Sequence, residues 1–342
     1  NILFLPYWLL SYDEMLSLVL DRSDNNAPNQ AMLFNKYVVK GKQKLLHEIG
    51  QDNLAETITV DSPVPFSMEK LILELQALDV EEVAGARPNT TKHGDYFGKL
   101  TRFVQRLDAK IKDKRLNFMF SADEALLKYE YLNKLCKTIL LPASDGGGVK
   151  VVDFSEVPSD ILPLIISLVA RLIFTVQQWT DRNKIHPIAI FCDEAHLYLP
   201  QNVQKSSDQA SVDNFERIAK EGRKYGVGLI VVTQRPSEVS RTILSQSGNF
   251  IAMRLTNAED QAIIKKLLPD SLGNFADLLP VLDVGEALVV GDASLLPSRI
   301  VVTEPNNKPR SDTVKFWTQW SKDTVPATLD DAVDAMRKQA KN

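Results

Sequence analysis

Ile188-Ala-Ile-Phe-Cys-Asp-Glu-Ala-His196 is a run of five apolar residues followed at once by two acids, Asp193 and Glu194. A run this short, Ile188 to Cys192, predicts a strand buried on both faces of a parallel sheet. Acids at its carboxyl end fall where open α/β sheets place their ligands. In that position the first carboxylate would hold Mg²⁺, usually through water, and the second would polarise the water that attacks a γ-phosphate. His196 and Tyr198 follow in the exit loop. The plainer alternative is that Asp193 caps the next segment and Glu194 is only solvated.

A second strand narrows the choice. Gly228-Leu-Ile-Val-Val-Thr-Gln-Arg-Pro236 is again apolar and again ends in a polar group, Gln234, which a parallel sheet would set beside the acids. A glutamine there can hydrogen-bond both the attacking water and a phosphate oxygen. Alone, Gln234 would read as a turn-facing amide before Pro236. Between the strands, Phe215 to Gly226 predicts a helix with Glu216/Lys220 and Arg217/Glu221 at i, i+4 spacing, an ion-paired solvent face. Arg223 and Lys224 follow Gly222 and lack such partners. Arg223 is a candidate arginine finger for a neighbouring subunit, with an intersubunit structural ion pair as the competing role. Arg235 and Arg241 are weaker candidates.

The ordered motifs Phe-Cys-Asp-Glu-Ala-His, Glu-Gly-Arg-Lys-Tyr-Gly-Val-Gly-Leu, Thr-Gln-Arg-Pro-Ser-Glu-Val-Ser and Ile-Leu-Ser-Gln-Ser-Gly-Asn-Phe-Ile-Ala-Met-Arg-Leu resemble the HerA family of hexameric DNA-translocating ATPases. Relatives of that family include the FtsK pumps and the conjugation-type secretion ATPases. The resemblance covers about 150 to 303 closely, and the amino-terminal part loosely through Leu5-Pro-Tyr-Trp-Leu-Leu-Ser11. It implies an α/β fold with a RecA-like P-loop NTPase core and a helical subdomain. By the same resemblance Asp193 is similar to the Walker B aspartate, which holds Mg²⁺ through water. Glu194 is similar to the catalytic glutamate, Gln234 to the sensor and Arg223 to an arginine near the nucleotide.

ATP and Mg²⁺ are the implied cofactors, with a six-membered homo-oligomeric ring and double-stranded DNA as partners. A nuclease or antiphage effector is a further implied partner. Two alternatives remain open: a conjugation or type IV secretion ATPase, and a non-hydrolysing ring scaffold for an effector enzyme.

The family's G-x-x-x-x-G-K-[ST] loop lies upstream of the Pro-Tyr-Trp segment, and no stretch of this sequence replaces it. Lys40-Gly-Lys-Gln43 lacks the hydroxyl and the first glycine, Gly94 to Thr101 has the wrong spacing, and Asp145-Gly-Gly-Gly148 has no lysine. The expectation is therefore a fragment of a longer protein, one that alone binds ATP weakly or not at all. A sheet lacking its central strand would also expose apolar edges.

Composition fits a cytoplasmic globular protein: 44% hydrophobic and 25% charged residues, a net charge of -4 and 2 cysteines. Cys136 and Cys192 are too few and too separated for a metal cluster. The net charge gives no global sign of nucleic-acid affinity, although a basic channel need not make the whole chain basic. Ile161 to Val176, interrupted by Arg171, reads as a buried helix and not a membrane span.

Three regions are expected: a mainly helical subdomain at 1–144, the ATPase core at 145–305, and a helical tail at 306–342. Helices are predicted at Tyr12 to Leu20, Gln30 to Leu46, Ser67 to Leu78 and Phe97 to Ile111, and later at 158–179, 213–224 and 258–268. The helix to Ile111 carries a basic face of Lys99, Arg102, Arg106 and Lys110, best explained as solvated. Strands are predicted at 149–154, 188–192, 228–233, 249–255, 285–291 and 298–303. Val80 to His93 and Gln201 to Asp213 read as loops, and Asp145 to Gly148 as a hinge.

Overall fold

The computed structural model describes residues 3–87, 89–120, 124–142, 148–155, 157–203, 206–267, 273–294, 296–307, 314–322 and 329–338. The chain forms two compact units, Asn1–Gln246 and Ser247–Asn342. Most of the hinge predicted at Asp145 to Gly148 lies outside the described residues.

In the first unit, helices α1 (Tyr12–Val19), α2 (Ala27–Glu48), α3 (Met68–Asp79), α4 (Thr101–Ile111), α5 (Tyr131–Leu140), α6 (Leu162–Trp179) and α7 (Ser206–Glu221) alternate with short helical turns and two pairs of strands. A large core runs through this unit, beside a smaller cluster of Leu46, Ala55 and Val64. The large core contains Trp8, Leu33, Phe34, Leu75, Phe103, Leu107, Leu164, Ile165 and Leu168, all nearly inaccessible. Ile188 and Ile190 lean on the same core, which is why the helical part and the strand of the acids form one body.

Local chemistry sets the ends of these elements. Ser11 caps α1 in a reciprocal box: its hydroxyl accepts from Glu14 N, and the Glu14 carboxylate accepts from Ser11 N at 2.8 Å. Ser67 caps α3 in the same sense, accepting from Lys70 N. Helix α4 begins at Thr101 and not at Phe97, because Gly98 adopts a left-handed φ of 69° in the preceding turn. On its basic face Arg106 pairs with Asp21 at 2.7 Å, taking that charge into an internal ion pair.

Helix α6 is the one described helix long and apolar enough to cross a membrane by length and composition, with half of that window buried. Its single charge, Arg171, is directed to Glu14 and to Leu9 O, each at 2.7–2.8 Å. That pairing makes α6 a core helix.

Strands β1 (Glu82–Ala84) and β2 (Thr91–His93) form an antiparallel hairpin where a loop was predicted. Gly85 is obligatory at its turn, since a Cβ there would lie 2.3 Å from Thr90 Oγ1. Strands β3 (Ile188–Cys192) and β4 (Val227–Val231) pair in parallel, from Ile188 opposite Val227 to Cys192 opposite Val231. Two-sided burial does not hold for this pair: Ile188 and Ile190 face the core, while Phe191 is 70% exposed and Ile230 and Val232 are open. An apolar run reports a preference for strand and burial but cannot distinguish one covered face from two.

The predicted strand at 149–154 is absent. Val149 and Val151 are each 87% exposed, and no strand among the described residues pairs with them. The predicted loop Gln201 to Asp213 is also corrected, because α7 already begins at Ser206.

The second unit is built on an antiparallel sheet in the order β5 (Asn249–Met253), β6 (Glu286–Gly291), β7 (Ser298–Val301). Helix α8 (Ala258–Leu267) contributes Ile264 to a small core with Leu279, Leu282, Leu288 and Val290. Helix α9 spans Asp330–Lys338.

Candidate functional site

The parallel register of β3 and β4 brings the two polar strand ends together. The ladder continues past both strands, with Val232 N donating to Cys192 O at 2.9 Å and Ala195 N to Val232 O at 3.0 Å. The last of these bonds bends the chain at Glu194, which adopts a left-handed backbone (φ 46°, ψ 43°) rare for a residue with a side chain. Such conformations persist only where the surroundings enforce them, and they concentrate at functional sites. The turn aims Glu194 across to β4, where Gln234 Nε2 donates to its Oε1.

Three of the four residues singled out in the sequence are thus assembled at one edge. Asp193 is exposed, and its Oδ1 accepts from Glu194 N at 3.0 Å. An exposed hard-oxygen ligand suits a hydrated Mg²⁺, and phosphate oxygens and water would have to complete its shell. Among the described residues no group of three or more His, Cys, Asp or Glu side chains could hold a metal without them.

Below the acids the chain is buried. Cys192 is buried, and burial pushes its thiol up to about 11. Tyr198 Oη donates to Asp193 O at 2.9 Å; burial first, then the neighbouring Cys192, raises the phenol above its ordinary range. Neither group is available as an acid or base near neutrality.

The two exit loops are also zipped together. Gln201 N donates to Glu238 O, and Ser240 N to Leu199 O. Ser240 Oγ donates to Glu216 of α7 at 2.8 Å. Thr233, His196, Tyr198 and Ser240 had no assigned role in the sequence. Thr233 stands directly before Gln234, which is the only local signal that it faces the same loop.

Arg223 is not brought to this edge. It follows Gly222 on a helical turn, Gly222–Tyr225, that abuts the start of β4: a Cβ on Gly222 would lie 2.5 Å from Val227 O. The acids follow β3, beside the opposite end of β4, about 13 Å along the strands at ~3.3 Å per residue. The Arg223 side chain is exposed and, among the described residues, makes no hydrogen bond or ion pair. The predicted ion pairs on α7 are present, Lys220 to Glu216 at 3.4 Å and Arg217 to Glu221 at 3.8 Å. Arg235 pairs with Glu238 at 2.8 Å, and Arg241 Nε lies 3.0 Å from the Gln201 side-chain amide.

The Lys40 to Gln43 stretch is excluded as a phosphate loop by position as well as by sequence. Gly41 lies within α2, and the buried Lys42 ammonium beside it donates to Val60 O and Ser62 O. Burial lowers its pKa to about 8.

Residues 1–173 match the family described as "Helicase HerA, central domain", and residues 137–315 match "Helicase HerA-like C-terminal". The chain belongs to the HerA helicase family. It is 29% identical over 238 residues to the DNA double-strand break repair helicase HerA of Sulfolobus acidocaldarius, covering 65% of this chain and 47% of that protein. It is 31% identical over 191 residues to the Saccharolobus solfataricus protein of the same name, covering 53% and 37%. The chain therefore spans about half or less of the length of these relatives. Among solved structures it is similar to the plasmid coupling protein TrwB, at 12% identity and a TM-score of 0.43, over 88% of this chain and 70% of that one.

Proposed function

We propose that this chain is the Walker B and sensor half of a ring-forming ATPase that moves along or remodels double-stranded DNA. The observation that carries this reading is the Gln234 side chain on the Glu194 carboxylate, at paired strand ends beside an exposed Asp193. Asp193 would hold Mg²⁺ through water, Glu194 would take the proton from the attacking water, and Gln234 would sense the γ-phosphate. ATP supplies the phosphate oxygens that complete the metal shell when it is bound. In this reading the phosphate loop belongs to the complete protein, and the isolated chain provides an incomplete site.

Arg223 fits action in trans, because it is unpaired and remote from the acids of its own subunit. A hexameric ring would bring it to a neighbour's nucleotide. DNA repair, or antiphage defence with a nuclease or other effector, is the setting in which we place the motor, in the cytoplasm and without membrane contact. The division into a helical subdomain at 1–144, an ATPase core at 145–305 and a tail at 306–342 is part of the same proposal.

The test is DNA-stimulated ATP hydrolysis by the full-length protein. Asp193→Asn is expected to abolish it. Mixing Arg223→Ala subunits with phosphate-loop-defective subunits is expected to restore part of the activity in mixed rings. No hydrolysis by the wild type on any DNA would favour the scaffold role instead.

A further inference from the structure

The buried oxygen Oε2 of Glu194 has no hydrogen-bond partner among the described residues, although Oε1 is engaged by Gln234. A buried acceptor left without a donor costs on the order of 1–3 kcal/mol, so the polar groups around it are informative. His196 Nδ1 lies 3.4 Å from that oxygen, with the imidazole only 15% exposed. The same nitrogen lies 3.3 Å from Thr233 Oγ1, and that hydroxyl oxygen already accepts from Arg235 N at 3.0 Å.

A carboxylate oxygen can only accept, so a proton on Nδ1 is the arrangement that makes the approach to Glu194 attractive, while the hydrogen-bond contact of that nitrogen is with Thr233. The ring is carried on the helical turn Ala195–Leu197, which Leu199 N closes onto Ala195 O at 2.8 Å. His196 therefore spans from the loop after β3 to the loop after β4, at the carboxylate whose backbone is already forced into the left-handed region.

The geometry points to His196 as a positioning residue. Its Nδ1 proton steers the Glu194 carboxylate and ties it to Thr233, so that the base and the sensor-bearing loop keep one register. This rests on the reading of Glu194 as the base of ATP hydrolysis. Gln234 holds one carboxylate oxygen and His196 approaches the other, so losing the imidazole frees the carboxylate to rotate without removing it.

The experiment compares His196→Ala, His196→Asn and Thr233→Val in the full-length protein. The readouts are kcat and KM for ATP, the unfolding temperature, and the Glu194 position in a crystal structure of the His196→Ala protein. His196→Ala is expected to lower kcat about 10- to 100-fold with KM changed less than about twofold, because a base misplaced by about 1 Å loses that much. His196→Asn, which returns an amide donor near the place of Nδ1, is expected to recover most of the loss. Thr233→Val, which removes the second link together with the acceptor for Arg235 N, is expected to show a smaller fall in kcat. In the crystal structure the carboxylate is expected to have left Gln234.

A wild-type kcat in His196→Ala, or equal losses in the Ala and Asn variants, would overturn the positioning role while leaving Glu194 as the base. Absence of hydrolysis in the wild type would instead overturn the reading of Glu194, and this inference with it.

Discussion

Two glutamates of the first unit are held in opposite ways. Glu14 is 1% exposed, and both of its oxygens are occupied: Ser11 N and Arg171 Nη2 on one, Arg171 Nε and Asn214 Nδ2 on the other. Asn214 also donates to Ser167 Oγ, so one satisfied network joins α1, α6 and α7. Glu194 has one donor, one buried oxygen without a hydrogen bond, and a left-handed backbone. The first carboxylate is saturated and contributes by holding helices in register. The second is strained and under-bonded, which a purely structural residue would not need.

That contrast can be broken by stability measurements, taken in order of expected effect. Removing Arg171 strands the buried Glu14 charge, so Arg171→Ala is expected to lower the unfolding free energy by about 3–5 kcal/mol in a denaturant titration. A loss below about 1 kcal/mol would place the pair among ordinary surface bridges. Gly222→Ala forces a Cβ to within 2.5 Å of Val227 O. It is expected to cost about 1–3 kcal/mol, since the opposing atom is backbone and cannot rotate away.

At Glu194 the sign reverses. Glu194→Gly relieves the left-handed backbone and is expected to raise stability by about 1 kcal/mol, offset in part by the lost Gln234 contact. A clear destabilisation in the same titration would mean that Glu194 is there for the fold.

Much of the site was legible because it depends on chain order and strand ends. The run Ile188 to Cys192 is the observed strand, and the polar ends meet because parallel pairing carries both chains to the same edge. Position in space beyond the pairing was not legible. Nothing in Asp-Glu-Ala-His announces a left-handed residue, since Glu has no special tolerance for that region and the bend is imposed by the bond from Ala195 to Val232.

Helix α7 was misread at its start because its buried face includes a polar residue. Ser211 is 1% exposed and donates to Pro163 O, which hides the helical period behind a polar sequence. Val149 to Phe154 is rich in valine like a strand, but pairing needs a neighbour that composition cannot supply. The three strands of the second unit lie where they are predicted, but their antiparallel direction was not legible, because strand direction is a property of the connections and not of the residues in the strand.

The central claim is that Glu194 is the base at a nucleotide-hydrolysis edge, and steady-state ATP turnover by the full-length Glu194→Gln protein tests it most directly. Turnover is expected to fall about 10²- to 10⁴-fold while nucleotide binding and the unfolding temperature are retained. Turnover equal to that of the wild type would contradict the assignment.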